Sequence, residues 1–209
     1  IILMFFDLIF AVSGAVDEED SGDEIDKKVK EKKEEGYWYM VKQVITIILK
    51  RNENIERVRI KYHPGHETFE PHITLVYPFE VENQKKLKEH INESLKDIKP
   101  FKIRLRGLKK STRGHYIYLL VDKGKEKIIE LYEKLNTGIL KDFKNPDMKK
   151  YEPHLSLAVF HSEEKREKAM KEISKINPVF ETKIKSIQLL TIGNTGKIKE
   201  REDFCLGWL

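Results

Sequence analysis

Two short segments of this chain carry the same pattern, residues 71–75 with the sequence PHITL and residues 153–157 with the sequence PHLSL. Side chains alternate between the two faces of a β-strand. In each segment the imidazole and the hydroxyl therefore share one face, and aliphatic residues occupy the other. Such a strand buries its aliphatic face and leaves a titratable group beside a hydroxyl on its open face. Because the arrangement occurs twice, the sequence indicates a duplicated fold.

The short form of this pattern, His-x-Ser/Thr, is uninformative by itself, since residues 66–68 also match it within a loop flanked by Pro and Gly. Requiring a preceding Pro and a following Leu lowers the chance expectation to on the order of 0.002 occurrences. The stricter form nevertheless occurs twice. We therefore interpret the two segments as phosphate-binding strands. The alternative is a pair of solvent-facing histidines on strand edges.

Helical and strand periodicities alternate around both segments. Further strands are predicted at 44–49, 101–106, 115–120, 152–160, 180–192 and 204–209, and helices at 52–61, 83–98, 125–143 and 163–176. Each half has a histidine strand, then a charged amphipathic helix, together with other alternating strands. Helices that flank largely antiparallel strands predict an α+β fold. The sequence contains no Gly-rich phosphate loop of the P-loop or dinucleotide type.

The first 36 residues differ from the rest of the chain. Residues 1–16 are apolar apart from Asp7 and start at Ile1 rather than at a methionine, and residues 17–36 form a charged linker with too few apolar groups to fold alone. We expect residues 1–36 to be disordered or a truncated targeting segment, and residues 37–209 to form the folded domain. A signal-peptide tail, a truncated anchor and a stray extension all stay open for residues 1–16, and so does membrane attachment through them.

Charge and cysteine content suggest a partner and a compartment. Residues 1–36 carry a net charge of −6 and the whole chain +5, so the remainder carries +11. A polyanion such as RNA would bind this surface by counterion release, although a solvated Lys-rich surface explains the charge equally well. The single cysteine, Cys205, excludes an internal disulfide and indicates a reducing, cytoplasmic compartment. We expect Cys205 to be a small core residue in the last strand.

The two segments resemble the paired His-h-Thr/Ser-h motifs, where h is hydrophobic, of the 2H phosphoesterase superfamily. This superfamily includes the RNA 2′,3′-cyclic phosphodiesterases, also called 2′-5′ RNA ligases. The resemblance extends over about residues 37–209 and implies a bilobal fold, with pseudo-two-fold duplicated antiparallel sheets, helices outside and a central groove. It also implies catalytic roles for His72 and His154, phosphate binding by Thr74 and Ser156, and no metal or cofactor.

Opening a cyclic phosphate needs a base that takes a proton from water and an acid that protonates the departing ribose oxygen. Two imidazoles can supply both, because an ordinary pKa near 6.5 allows one neutral and one protonated ring. The resemblance implies that His154 is the base and His72 the acid, although the pseudo-symmetry leaves the order open. The reverse reaction would join ends by 2′-5′ ligation.

Candidate substrate contacts are the residues near the motifs that can stack on a base or pair with a phosphate: Tyr77, Arg113, Tyr116 and Tyr151. Tyr77 and Tyr151 fit equally well as core residues. The main hypothesis is hydrolysis of 2′,3′-cyclic phosphate ends of RNA or nucleotides by a monomer. Alternatives are a 2′-5′ oligonucleotide phosphodiesterase or RNA 3′-end trimming enzyme and, in another class, a non-catalytic RNA-binding module.

Overall fold

A computed structural model of the chain describes residues 42–112, 114–144, 150–193 and 195–207. Its strands are β1 (Lys42–Ile48), β2 (His72–Phe79), β3 (Phe101–Lys110), β4 (Tyr116–Lys123), β5 (His154–Val159), β6 (Phe180–Ile184), β7 (Ser186–Ile192) and β8 (Ile198–Cys205). Its helices are α1 (Glu53–Tyr62), α2 (Gln84–Leu95), α3 (Lys125–Leu135) and α4 (Glu163–Ile176), with a 3₁₀ helix at Gly138–Phe143. The expectations for residues 1–36, the domain start at residue 37 and Arg113 lie outside the described residues.

The strands form two antiparallel sheets of four strands each. Sheet A has the order β2-β1-β7-β8, and sheet B has the order β5-β4-β3-β6. A histidine strand lies at one edge of each sheet, beside β1 in sheet A and β4 in sheet B. The predicted α+β class and the duplicated antiparallel sheets are confirmed.

Helices begin where the sequence supplies capping side chains. Asn52, Asn83 and Ser162 accept hydrogen bonds from backbone N–H groups in the first turns of α1, α2 and α4. The last helix ends at Asn177, which adopts the left-handed conformation with φ of 46°. The last helix spans the residues that the sequence periodicity predicted, 163–176.

One hydrophobic core holds the two sheets together. The core contains residues of both sheets and of all four helices. Helices of each half also contact strands of the other half, since α1 contacts β5 and α3 contacts β2. One face of each sheet is therefore covered by helices, and the other face, which we call the open face, carries the motif histidines.

Three sequence predictions need correction. The predicted strand at 180–192 is two strands, and β6 belongs to sheet B whereas β7 belongs to sheet A. The predicted helix at 125–143 ends at Leu135, where Asn136 turns its side chain to donate to the backbone oxygens of Leu75 and Tyr132. Cys205 is exposed rather than buried, because it follows the buried Phe204 on the edge strand β8 and so faces the other way.

Across the parts of the chain that the structure describes, none of the helices is both long enough and apolar enough to cross a membrane.

Candidate active site

The two motif strands approach each other from different sheets. Cα atoms of β2 and β5 come within 8 Å of one another across the sheets. The aliphatic residues of both motifs are almost completely buried, whereas His72, Thr74, His154 and Ser156 are partly exposed. The alternation predicted from the sequence therefore holds within each motif, and each pair of imidazole and hydroxyl lies on the open face.

Each motif strand contains a β-bulge directly after its hydroxyl residue. In sheet A the partner strand pairs Thr46 with Thr74 and Ile45 with Val76, which leaves Leu75 as the bulged residue. In sheet B the equivalent bulge is at Leu157. A bulge reverses the alternation beyond it, so Ala158 rather than Val159 is buried. Strict alternation along 153–159 would have placed Val159 on the buried face, and the bulge is the reason that it does not lie there.

Both catalytic candidates are oriented by the same backbone interaction. Nδ1 of His72 lies 2.8 Å from the carbonyl oxygen of Glu70, and Nδ1 of His154 lies 2.7 Å from that of Glu152. A carbonyl oxygen can only accept, so Nδ1 carries the hydrogen in both rings. Nε2 of each ring is thus left for proton exchange with a substrate or water.

The glutamate two positions before each histidine was missed by the sequence analysis. Its carboxylate forms an ion pair with a basic residue of the same sheet, Glu70 with Arg201 at 3.1 Å and Glu152 with Lys109 at 2.5 Å. These pairs hold the segments whose carbonyl groups orient the rings. The repeated Glu-Pro-His sequence was the signal that could have revealed them.

The second motif segment is tied to the first by Tyr151. Its hydroxyl donates to the backbone oxygen of Thr74 at 2.8 Å, and its ring stacks on Tyr132 with a centroid distance of 3.9 Å. Tyr151 is only 8% exposed. It therefore fits the core alternative rather than a substrate contact, because its hydroxyl and ring are already engaged. Tyr77 is partly exposed. The pKa of Tyr151 is raised above its ordinary value, mainly by burial and in addition by the neighbouring Tyr77.

The pKa of His72 is held below its ordinary value. Burial is the largest cause of this decrease. The hydrogen bond to the carbonyl of Glu70 raises the pKa, whereas the positive charges of Arg59 and His154 lower it further. The strands that carry the two histidines, β2 and β5, approach each other to within 8 Å between Cα atoms. The tertiary structure thus brings together two histidines that are 82 positions apart in the sequence.

The pKa of His154 is also lowered, again mainly by burial. Here the carbonyl and carboxylate of Glu152 both favour the protonated ring, and Lys109 opposes it. Both histidines are partly exposed, although burial is the main cause that lowers the pKa of each. Their environments differ in charge, because only His154 has a carboxylate among the groups that shift its pKa.

Residues 49–196, which include both motifs, match the family model of the 2′-5′ RNA ligase superfamily. The chain belongs to this superfamily. The resemblance to the 2H phosphoesterases that the motifs indicated is therefore confirmed.

A relative and two solved structures are similar to this chain. A Bacillus licheniformis protein named "Putative phosphoesterase" is 24% identical over 151 residues, which cover 71% of this chain and 88% of that protein. The crystal structure of TT0787 of Thermus thermophilus has a TM-score of 0.54 at 16% identity, over 80% of this chain and all of that chain. Escherichia coli LigT in its apo form has a TM-score of 0.51 at 14% identity, over 80% of this chain and 98% of LigT. At these identities the two structures establish the shared fold alone.

A buried arginine lies behind the first motif of this superfamily member. Arg59 on α1 is 1% exposed and donates from Nη2 to the backbone oxygen of Phe69 at 2.6 Å. The ring of Phe69 lies 6.4 Å from that of His72, measured between centroids. Arg59 therefore links α1 to the loop that precedes the first motif and brings a positive charge near His72. No sequence signal distinguished it from the other basic residues of α1.

The other substrate-contact candidates lie near the second motif or outside the described chain. Tyr116 is partly exposed at the start of β4, and Arg113 lies outside the described residues. Among the described residues there is no cluster of three or more His, Cys, Asp or Glu side chains placed to bind a metal ion. A depression of about 420 Å³ between α1 and α4 is lined by residues of these helices and by none from β2 or β5, so it is separate from the motifs.

Proposed function

We propose that this protein hydrolyses the 2′,3′-cyclic phosphate ends of RNA or nucleotides, with His72 and His154 as its proton-transfer pair. The observation that supports this most strongly is the approach of β2 to β5 from separate sheets, with both motif histidines partly exposed on the open faces. Attack and departure at phosphorus take place on opposite sides of the phosphate in an in-line displacement. Two rings that come from opposite sheets suit this geometry.

In the proposed reaction, Nε2 of the basic histidine takes a proton from water as the water oxygen bonds to phosphorus. The bond from phosphorus to one ribose oxygen breaks, and Nε2–H of the acidic histidine protonates that oxygen. The hydroxyl groups of Thr74 and Ser156 donate to the non-bridging oxygens, where negative charge increases in the transition state. The product is a phosphomonoester on one ribose hydroxyl, and the two histidines end with their protonation states exchanged.

The charges around the rings favour one order of proton transfer. Arg59 opposes a proton on His72. At His154 the carboxylate and carbonyl of Glu152 both favour the protonated ring, and only the charge of Lys109 opposes it. We therefore assign His72 as the base and His154 as the acid. This order is the reverse of the one that the family resemblance implied.

Two further LigT structures agree with a phosphate-containing nucleotide substrate. LigT has been crystallised with 3′-AMP and with phosphate, and these structures each have a TM-score of 0.50 to this chain at 13% and 16% identity. A protein of the same fold that binds a nucleotide and inorganic phosphate is consistent with the proposed substrate class.

Product analysis tests the proposal. The protein is incubated with a dinucleotide that ends in a 2′,3′-cyclic phosphate, with a 2′-5′ oligoadenylate and with an RNA that has a free 3′ hydroxyl end, all in the presence of EDTA. We expect only the cyclic phosphate to be opened, by a chelator-resistant activity. His72→Ala and His154→Ala should each reduce kcat/KM by about 10²–10⁴-fold. His161→Ala is the matched control, since His161 is an exposed histidine outside both motifs.

The other outcomes identify the alternatives. Cleavage of the oligoadenylate alone would mean a 2′-5′ phosphodiesterase, and shortening of the 3′ end would mean a trimming enzyme. Binding of the cyclic-ended dinucleotide without turnover over hours would mean a non-catalytic RNA-binding module. Inhibition by EDTA would contradict the metal-independent scheme.

A further inference from the structure

Two tyrosines continue the open face of sheet B away from the second motif. The ring of Tyr118 lies 3.9 Å from that of His154, and the ring of Tyr116 lies 6.0 Å from that of Tyr118, both measured between centroids. The two tyrosine planes differ by 25°, so these rings are close to parallel. Both tyrosines are partly exposed. Together with His154 they form a row of three rings that leads from the proposed reaction centre to the β3–β4 turn.

The duplicated fold offers an internal comparison for these positions. In sheet B, Tyr118 pairs with Ser156 of the motif. In sheet A, Thr46 holds the equivalent position, because it pairs with Thr74. Two residues earlier, Tyr116 corresponds in the same way to Val44. Val44 and Thr46 are 4% and 1% exposed, so sheet A has no accessible ring at either position.

The scaffold therefore does not require aromatic residues at these positions, since the matching strand of sheet A uses a valine and a threonine. Nor does core packing explain the tyrosines, because the buried face of β4 is supplied by Ile117, Leu119 and Val121. At the equivalent place in sheet A, Val44 is buried in a small cluster with Leu190 and Ile192, so the row of partly exposed rings belongs to sheet B and is not repeated in sheet A. An asymmetric feature on a symmetric scaffold fits an asymmetric ligand, such as a nucleotide chain that extends from one side of its phosphate.

The outer tyrosine is held in place by the β3–β4 turn. Ser111 donates its N–H to the carbonyl oxygen of Tyr116 at 3.1 Å, and its hydroxyl accepts from the N–H of Tyr116 at 3.0 Å. Gly114 has φ of +65°, and a Cβ there would lie 2.7 Å from Cε2 of Tyr116, so its backbone packs directly against the ring.

The turn itself is anchored from the helix layer. Arg166 on α4 is 7% exposed and donates from Nη1 to the carbonyl oxygens of Ser111 and Gly114 at 3.0 and 3.3 Å. A buried guanidinium that donates to two carbonyl groups stabilises Ser111 and Gly114, the two residues that contact Tyr116. Support of this kind reduces the entropic cost of stacking a base on Tyr116.

We infer, on the basis of the proposed function, that Tyr118 and Tyr116 form a stacking platform for nucleobases and that the preferred substrate is a single-stranded RNA end rather than a free mononucleotide. Tyr118, beside His154, stacks the base of the nucleotide that carries the cyclic phosphate. Tyr116 stacks the base of the preceding nucleotide. Stacking uses the face that every base has, so the platform selects for chain length and not for sequence.

The test compares two substrates on one enzyme. One is a trinucleotide that ends in a 2′,3′-cyclic phosphate, and the other is the same trinucleotide without its penultimate base. We expect the wild-type kcat/KM to be about 5- to 100-fold higher for the intact trinucleotide, the range for one stacked base. Tyr116→Ala should abolish this ratio, and Tyr116→Phe should keep it because the ring remains. Because both substrates are measured with the same preparation of each variant, the ratio of the two kcat/KM values does not depend on the fraction of folded enzyme.

The inference is overturned if the wild type hydrolyses both trinucleotides equally, or if Tyr116→Ala keeps the wild-type ratio. The second result would mean that the tyrosines stabilise the sheet only, as cross-strand aromatic pairs do. If the wild type opens no cyclic phosphate at all, the proposed function fails separately. In that case, fluorescence anisotropy measures the Kd values of two 2′-phosphorylated trinucleotides, one intact and one without its penultimate base. Equal Kd values would overturn the stacking platform.

Discussion

The hydroxyl of Tyr151 donates a hydrogen bond to the backbone oxygen of Thr74 at 2.8 Å, which joins the segment before the second motif to the centre of the first. The two residues are 77 positions apart. The separation between the motif strands is therefore set partly by a direct bond between the motif segments, in addition to the shared core. Proton transfer across a phosphate depends steeply on such separations.

Tyr151→Phe should remove this bond and keep the stacked ring. We expect the free energy of unfolding to fall by about 0.5–1.5 kcal/mol, the usual contribution of one hydrogen bond. We also expect kcat/KM to fall by roughly 3- to 10-fold, because the motifs are held less accurately. Urea denaturation and steady-state kinetics measure the two effects. Tyr132→Phe, which changes the partner ring of the same stack, is the control, and equal behaviour of the two variants would argue against the link.

An activated substrate distinguishes the acid from the base. Bis(p-nitrophenyl) phosphate has a leaving group that departs without protonation, so it needs the base but not the acid. With this substrate, His154→Ala should keep activity within about tenfold of the wild type, while His72→Ala should lose about 10²–10⁴-fold. Initial rates of nitrophenolate release provide the measurement. The opposite pattern would restore the order implied by the family resemblance.

Arg59→Met should alter the pH dependence of the base. The charge of Arg59 lowers the pKa of His72, so removing it raises that pKa. Activity requires a neutral base, and the acidic inflection of kcat/KM should therefore move upward, by up to about one pH unit. Arg59→Lys keeps a positive charge and should move the inflection less. A profile with its acidic inflection unchanged in Arg59→Met would show that this charge does not act on His72.

Acid should destabilise the fold through its buried histidines. Burial, followed by the charges of Arg59 and His72, lowers the pKa of His63 to about 3. The unfolded chain takes up this proton near pH 6.5, so the stability from neutral His63 is complete above that pH and is lost between about pH 6.5 and 3. Within this range the free energy of unfolding should fall by up to about 1.4 kcal/mol for each pH unit of acidification and for each such histidine.

The free energy of unfolding, measured by urea denaturation at several pH values, tests this dependence. His63→Gln should flatten the slope, because the substituted side chain does not titrate. An identical slope in wild type and His63→Gln would mean that folding does not change the pKa of His63.

The local structure, meaning the positions of most helices and strands and the face that each motif residue occupies, could be predicted from the sequence. Strand alternation placed each motif histidine and hydroxyl on one face, and helical periodicity predicted the helix at 163–176 with the bounds that the structure shows. These features depend on neighbours along the chain, so periodicity suffices to predict them. The repetition of one rare pattern was enough to indicate a duplicated fold and its superfamily.

The long-range relationships were decided only by the tertiary structure. The bulges at Leu75 and Leu157, the division of residues 180–192 between two sheets and the charge of buried Arg59 near His72 all depend on which strands and helices become neighbours. The same holds for the row of rings, because Tyr116 and Tyr118 reach His154 through pairing between β4 and β5. Periodicity reports which face a residue occupies. The distance and charge that act on an imidazole come from the groups that packing places around it, and these are remote in sequence.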